Sequence, residues 1–201
     1  ASAAADHALQ AYPDLEAKAD MLYRKALSDY QLKRYDAAQK SLEEILRLSE
    51  GDAKKSDALY WQAYIYEITG KQKEASTAYA QLIAKYPQFP NLDDVRLRKA
   101  LCDYAERDFG PAYEGFHTVL FSEKGNQLPA EVLFWMILRA DEKNDHAEAL
   151  KIAAHALEIF DQPAIRERAL IAIGNQRVAL KQWKEAIANG EAFVKTFPDS
   201  L

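Results

Sequence analysis

The sequence predicts an all-α array of repeated helix pairs, on three observations: its composition, a constant internal spacing of 37 residues, and amphipathic helical periodicity within each copy. The composition comes first. Only 7 Gly and 7 Pro occur among 201 residues, while Ala, Leu, Glu, Lys and Gln, all good helix formers, dominate. The apolar share of 49% is enough for a substantial core.

The repeat is carried by five segments in which a bulky or polar residue stands three places before an alanine. They are Tyr35-Asp36-Ala37-Ala38, Gln72-Lys73-Glu74-Ala75, Phe109-Gly110-Pro111-Ala112, His146-Ala147-Glu148-Ala149 and Trp183-Lys184-Glu185-Ala186. The final alanines fall at 38, 75, 112, 149 and 186, a constant spacing of 37. Twelve residues before each stands Ala26, Ala63, Ala100, Ile137 or Gly174, and eight after each stands Leu46, Ile83, Leu120, Leu157 or Val194. The preceding column holds Ile45, Leu82, Val119, Ala156 and Phe193.

Each copy reads as two helices. In the first copy the spacing of Leu22, Ala26, Leu27 and Tyr30 predicts a helix over 17–33, and Ala38, Leu42, Ile45, Leu46 and Leu48 predict a second over 36–49. Short polar turns such as Thr69-Gly70-Lys71 and Lys143-Asn144-Asp145 separate the two. Ser56-Asp57, Asp93-Asp94 and Pro129 mark helix starts, where capping, the helix dipole and a fixed φ favour them. The small residues at 26/38, 63/75 and 100/112 are expected where the two helices of a pair approach closely.

This unit resembles the tetratricopeptide repeat, most clearly in Leu59-Tyr60-Trp61-Gln62-Ala63-Tyr64-Ile65-Tyr66, Gly70, Ala75, Tyr79, Leu82 and the closing Tyr86-Pro87. The last copy is similar, with Leu170, Gly174, Ala186, Phe193 and Phe197-Pro198. The 37-residue period departs from the family's 34, and copies one, three and four lack the closing proline. The resemblance covers about residues 14–201. It implies one right-handed superhelical α-solenoid of five helix pairs over 14–201. Tyr12-Pro13 then reads as the close of an upstream second helix formed by residues 1–13. That start, and the apolar Phe193, Val194 and Phe197 near the other end, read as a piece of a longer array or as self-associating ends.

Composition and motifs narrow the chemistry. Net charge is −5 and the cations are scattered, so nucleic acid is not an expected partner. No apolar run approaches membrane-spanning length. No phosphate loop, nucleophile elbow or paired-carboxylate motif occurs, so no enzyme activity and no cofactor are expected. His7, His117, His146 and His155 lie without metal-ligand spacing, and packing or surface roles account for them. Cys102, the single cysteine, reads as a buried thiol.

In the family the inner face of the solenoid is lined by the first helices of the pairs. The resemblance places Tyr23, Leu27, Tyr30, Tyr60, Tyr64, Leu97, Leu101, Tyr104, Phe134, Leu138, Ile171 and Asn175 on that face. Asp20, Asp57, Asp94 and Glu131 share one position near the start of four first helices. The expected function is non-catalytic protein–protein interaction, with a cradle for a segment bearing apolar anchors and some positive charge. Packing between units would equally account for the tyrosines, and helix-start charge for the acids. Clamping of a C-terminal carboxylate is not expected, because only Asn175 fits the family's clamp positions. Two other readings stay open: self-association through the ends, and a docking or regulatory module of a larger enzyme. The closings Tyr86-Pro87 and Phe197-Pro198-Asp199-Ser200 resemble bacterial cell-envelope members of the family, which implies a periplasmic location, with a cytoplasmic one as the alternative.

Overall fold

The computed structural model describes residues 15–48 and 54–200, and everything below refers to them. Residues 1–13, with Tyr12-Pro13 and His7, lie outside the described residues. Ten α-helices follow in order: α1 Leu15–Gln31, α2 Tyr35–Arg47, α3 Lys54–Ile68, α4 Gln72–Lys85, α5 Leu92–Ala105, α6 Phe109–Leu120, α7 Ala130–Glu142, α8 His146–Ile159, α9 Pro163–Ala179 and α10 Trp183–Thr196. A 3-10 turn, Gly125–Gln127, precedes α7. No strand is present among the described residues, and no helix there is long and apolar enough to cross a membrane. Contacts divide the chain into two compact units at Gly115/Phe116.

In the first unit α1 to α5 pack in chain order, and α1 also touches α3. The spacing of buried residues explains the order. On α2, Ala38, Ser41, Leu42 and Ile45 are buried at i, i+3, i+4 and i+7, a single apolar stripe. By contrast α3 buries Ala58, Leu59, Ala63 and Ile65, so apolar side chains leave it in several directions. That suits a helix held between neighbours. One core gathers Leu22, Ala26, Ala38, Leu42, Ile45, Ala58 and Ile65, and the next gathers Leu59, Ala63, Ala75, Ala78, Tyr79, Leu82, Val95 and Cys102. Leu46 packs against both, which explains its place in the repeat.

The alanine columns do what their size suggests. Ala38, Ala63, Ala75 and Ala112 are fully enclosed, and Ala26 and Ala100 nearly so. A Cβ added to Gly115 would lie 2.8 Å from Ala100 Cβ, which shows how closely α5 and the start of α6 approach. Ala75→Leu is therefore expected to cost about 1–3 kcal/mol by overpacking. Unchanged thermal unfolding of that variant would contradict the close approach.

In the second unit α7 to α10 also pack consecutively, and α7 touches α9. Its core includes Phe116, Leu120, Leu133, Met136, Ile152 and Phe160.

The turn inside every pair repeats to the residue. Lys33, Gly70, Arg107, Asn144 and Lys181 all have φ between 58° and 78°. In each turn the next residue's N–H returns to a carbonyl five back, as Arg34 N–H does to Asp29 O at 2.8 Å and Asp145 N–H to Ala140 O at 2.9 Å. This is a Schellman closure, which ends one helix and aims the next. Only Gly70 and Asn144 suit the left-handed conformation; a lysine or arginine is strained there. Arg107→Gly is expected to raise stability by about 1 kcal/mol, read as an upward shift in urea midpoint. A lower midpoint would contradict the strain.

The helix starts fall at the expected residues. Asn91, in the left-handed region, precedes α5, and its side chain makes no cap bond. Pro129 is the residue before α7, with φ −59°, and Asp57 and Asp93-Asp94 sit inside first turns. The acids suit the positive helix end there by their charge, and Pro129 by its fixed φ. Asp145 does cap, accepting the Glu148 N–H at 3.1 Å.

Candidate functional site

On the first unit, α1, α3 and α5 present the residues that the family pattern selects. Tyr23, Leu27 and Tyr30 stand on α1, Asp57, Tyr60 and Tyr64 on α3, and Asp94, Leu97, Leu101 and Tyr104 on α5. Most are half-buried; Tyr104 is exposed. Tyr23, Tyr30, Tyr60 and Tyr64 join one aromatic surface through Trp61. Trp61 Nε1 donates to Tyr23 Oη at 3.0 Å, and its ring lies 5.0 Å from Tyr30 and 5.8 Å from Tyr64. Tyr60 and Tyr64 have parallel rings, 3° apart in plane at 6.3 Å, and Phe89 continues the row 5.7 Å from Tyr60. Such contacts hold rings in place, leaving little side-chain entropy to lose on binding.

A polar network supports this surface from one side. Arg98 donates to both Glu67 oxygens at 3.1 and 3.2 Å and to Asp94 Oδ2 at 3.1 Å. Its guanidinium lies 5.1 Å from the Tyr64 ring centre. Tyr79, fully enclosed, donates its hydroxyl to Glu67 Oε2 at 2.6 Å. Burial, with the Glu67 hydrogen bond, pushes the Tyr79 phenol far above its ordinary range, so it stays a donor. Burial also pushes up Tyr23 and Tyr60, and a hydrogen bond with Tyr64 pushes up Tyr30.

The acids at the repeated position do not form an open acidic edge. Asp20 pairs with Arg24 at 2.9 Å and Lys54 at 3.5 Å, and the Arg24 hydrogen bond lowers its pKa. Asp94 is held by Arg98. Asp57 is half-buried, and desolvation raises its pKa.

The second unit carries the remaining positions. Phe134 lies under the Arg168 guanidinium at 3.7 Å; Leu138, Ile171, Asn175 and Glu131 are exposed. Phe193 and Phe197 pair with each other at 5.7 Å and are half-buried, whereas Val194 is 55% exposed.

Histidines in this unit knit helices together. His117 Nε2 meets Glu148 at 2.8 Å, His155 stacks on Phe121 at 4.8 Å, and His146 Nδ1 reaches Asp141 at 3.0 Å and Gln176 at 2.9 Å. No group of three or more His, Cys, Asp or Glu that could hold a metal is gathered among the described residues. Cys102 is buried, and its thiol is pushed up to about 12, so little thiolate exists near neutral pH.

Trp61, Glu67, Arg98 and Phe89 escaped the sequence reading. One signal was available: the column next to the tyrosines reads Arg24, Trp61, Arg98, Trp135.

Residues 57–88 match the family model described as tetratricopeptide repeat. No curated protein matches the chain. Several solved structures match over most of it. YrrB, titled a tetratricopeptide repeat protein with an unusual peptide-binding site, is 16% identical, with 100% of this chain and 95% of that one covered at a TM-score of 0.58. A tetratricopeptide repeat protein from Parabacteroides merdae is 15% identical, with 92% and 68% covered at a TM-score of 0.58. MamA from Desulfovibrio magneticus is 14% identical, with 93% and 99% covered at a TM-score of 0.54. The chain therefore has the helix-pair fold of these repeat proteins, and within it residues 57–88 match the tetratricopeptide repeat model itself.

Proposed function

We propose that the chain is a non-catalytic adaptor that holds a peptide segment of a partner protein against the α1–α3–α5 face. The observation that carries this reading is the row of pre-set rings, Tyr23, Tyr30, Tyr60, Trp61, Tyr64 and Phe89, left partly open to solvent. Rigid aromatic area of this kind is what interface anchors are made of. The segment has apolar or aromatic anchors. Positive charge contributes less than the sequence suggested, because Asp20 and Asp94 already have basic partners within the chain. Peptide binding by the similar YrrB agrees with the reading. The envelope-type closings favour a periplasmic partner.

The test is a pull-down from native extract with wild type and a Tyr23→Ala/Tyr60→Ala/Tyr64→Ala variant of unchanged helicity. A partner held by wild type and lost by the variant supports the reading. A partner held equally by both removes it.

One observation favours a second reading, self-association. Trp183, Ile187 and Val194 on α10 are 57%, 65% and 55% exposed and lie on one helix face. Sedimentation of wild type against Ile187→Glu/Val194→Glu decides it: a concentration-dependent mass abolished by the change supports it, and a monomer at all concentrations removes it.

A further inference from the structure

A cleft of 510 Å³ opens where the α1–α2 turn meets the C-terminal end of α3, and it shares no residue with the face described above. Its walls include Tyr35 and Tyr66, and its rim carries Lys33, Arg34 and Lys71 against a single carboxylate, Asp36. None of these three cations is paired with an acid among the described residues; Lys71 instead lies 5.9 Å from the centre of the Tyr66 ring. The lining itself carries an excess of two positive charges in a chain of net charge −5, with Glu43 and Glu74 lying beyond it near Tyr66. Gln39 adds the second feature. Its Nε2 donates to Gln62 O at 3.0 Å, but its Oε1 is enclosed and accepts nothing. A buried acceptor without a donor is costly, so a ligand that draws the Gln39 amide toward the cleft and supplies a donor relieves that cost.

We propose that this cleft binds an acidic peptide, whose carboxylates meet Lys33, Arg34 and Lys71 and toward one of whose N–H groups the Gln39 amide turns. The rim sets the charge, and the tyrosine walls take the aliphatic stem of a glutamate. A peptide presents carboxylates on aliphatic stems that the tyrosine walls can take, which makes it a better match than phosphate. The site shares no residue with the aromatic face, and the two touch where Tyr35 packs 6.1 Å from Tyr30.

The test uses the full chain, ¹⁵N-labelled, titrated with a hexaglutamate peptide at low salt. The expected result is a set of amide shifts confined to residues 33–39 and 65–71. Lys33→Gln/Lys71→Gln weakens binding about tenfold, and added salt weakens it further. Gln39→Met weakens it severalfold without changing charge, while Tyr60→Ala/Tyr64→Ala leaves it unchanged. Unshifted amides outside the cleft confirm that each variant is folded. Equal binding of hexaglutamine, or unchanged affinity in the lysine variant, overturns the proposal. So do equal shifts from inorganic phosphate at the same concentration, which would make the site a phosphoryl site. A self-association removed by Lys71→Gln would make a second copy the occupant and overturn it too.

Discussion

Gly125→Ala lowers the stability of the second unit by about 2–4 kcal/mol, the largest loss expected from a single methyl added at the described glycines. Gly125 is buried in the turn that follows α6, its N–H bonded to Ser122 O at 3.2 Å and its own carbonyl accepting from Leu128 at 3.1 Å. A Cβ there would stand 2.1 Å from Leu120 O and 3.0 Å from Leu120 C, with Ile159 Cδ1 at 3.1 Å. The obstructing atoms are backbone, so rotating a side chain cannot relieve them. Moving that carbonyl has a second cost. Leu120 O accepts from His155 Nε2 at 3.2 Å, and His155 stacks on Phe121. The methyl therefore disturbs packing and a polar contact together. In a chain of this size, 1 kcal/mol moves the melting temperature by about 2–4 °C, so a drop of roughly 5–15 °C is expected by circular dichroism. Gly190→Ala is the control. Nothing lies within 4 Å of its added Cβ on α10, and alanine there gains up to about 1 kcal/mol of helix propensity. If both variants melt alike, the close approach at Leu120 is wrong.

How far the sequence foretold this structure depends on what a residue's neighbours are. The pair architecture was legible because burial repeats: the alanines at 38, 75, 112 and 149 are fully enclosed and Ala186 partly so, and a position enclosed in copy after copy leaves a column in the sequence. Helix α1 was expected at 17–33 and lies at 15–31; α2 was expected at 36–49 and lies at 35–47. The turns were legible as turns but not as left-handed closures, because lysine and arginine occupy three of the five such positions. Their conformation is imposed by the flanking helices and not by their own preference. Gly125 carried no repeat partner to reveal it. The aromatic face was legible only in part. Tyr23, Tyr30, Tyr60 and Tyr64 followed from the family pattern, but the network behind them joins α3, α4 and α5 through residues 12 and 31 apart, and no periodic pattern reports such pairings. Charge misled because two of the aligned acids meet a cation of their own helix: Asp20 pairs with Arg24 and Asp94 with Arg98, whereas Trp61 stands at that place after Asp57.

Glu67→Ala is the second large effect, because one carboxylate serves a buried phenol and the guanidinium beside the aromatic face. Removing it leaves the enclosed Tyr79 hydroxyl without its acceptor, which costs about 1–3 kcal/mol. Arg98, 28% exposed in its side chain, keeps Asp94 and can turn toward water, so the lost ion pair adds less than a buried pair would. A total of about 2–4 kcal/mol is expected. Tyr79→Phe separates the two parts, since it removes the donor together with its need for an acceptor. In that background Glu67→Ala should cost much less, leaving a coupling of about 1–2 kcal/mol in a double-mutant cycle by urea unfolding. Additive losses would mean that the hydroxyl finds another acceptor and that Glu67 acts only through Arg98. The same cycle bears on binding. Arg98 sits against the Tyr64 ring, so freeing it from Glu67 loosens the ring row even in molecules that remain folded. Glu67→Gln, which keeps an acceptor for Tyr79 but gives up the ion pair, should recover most of the stability and little of the partner affinity. If stability and affinity instead recover together, the rings are held by packing alone, and the network behind them is structural support with no part in recognition.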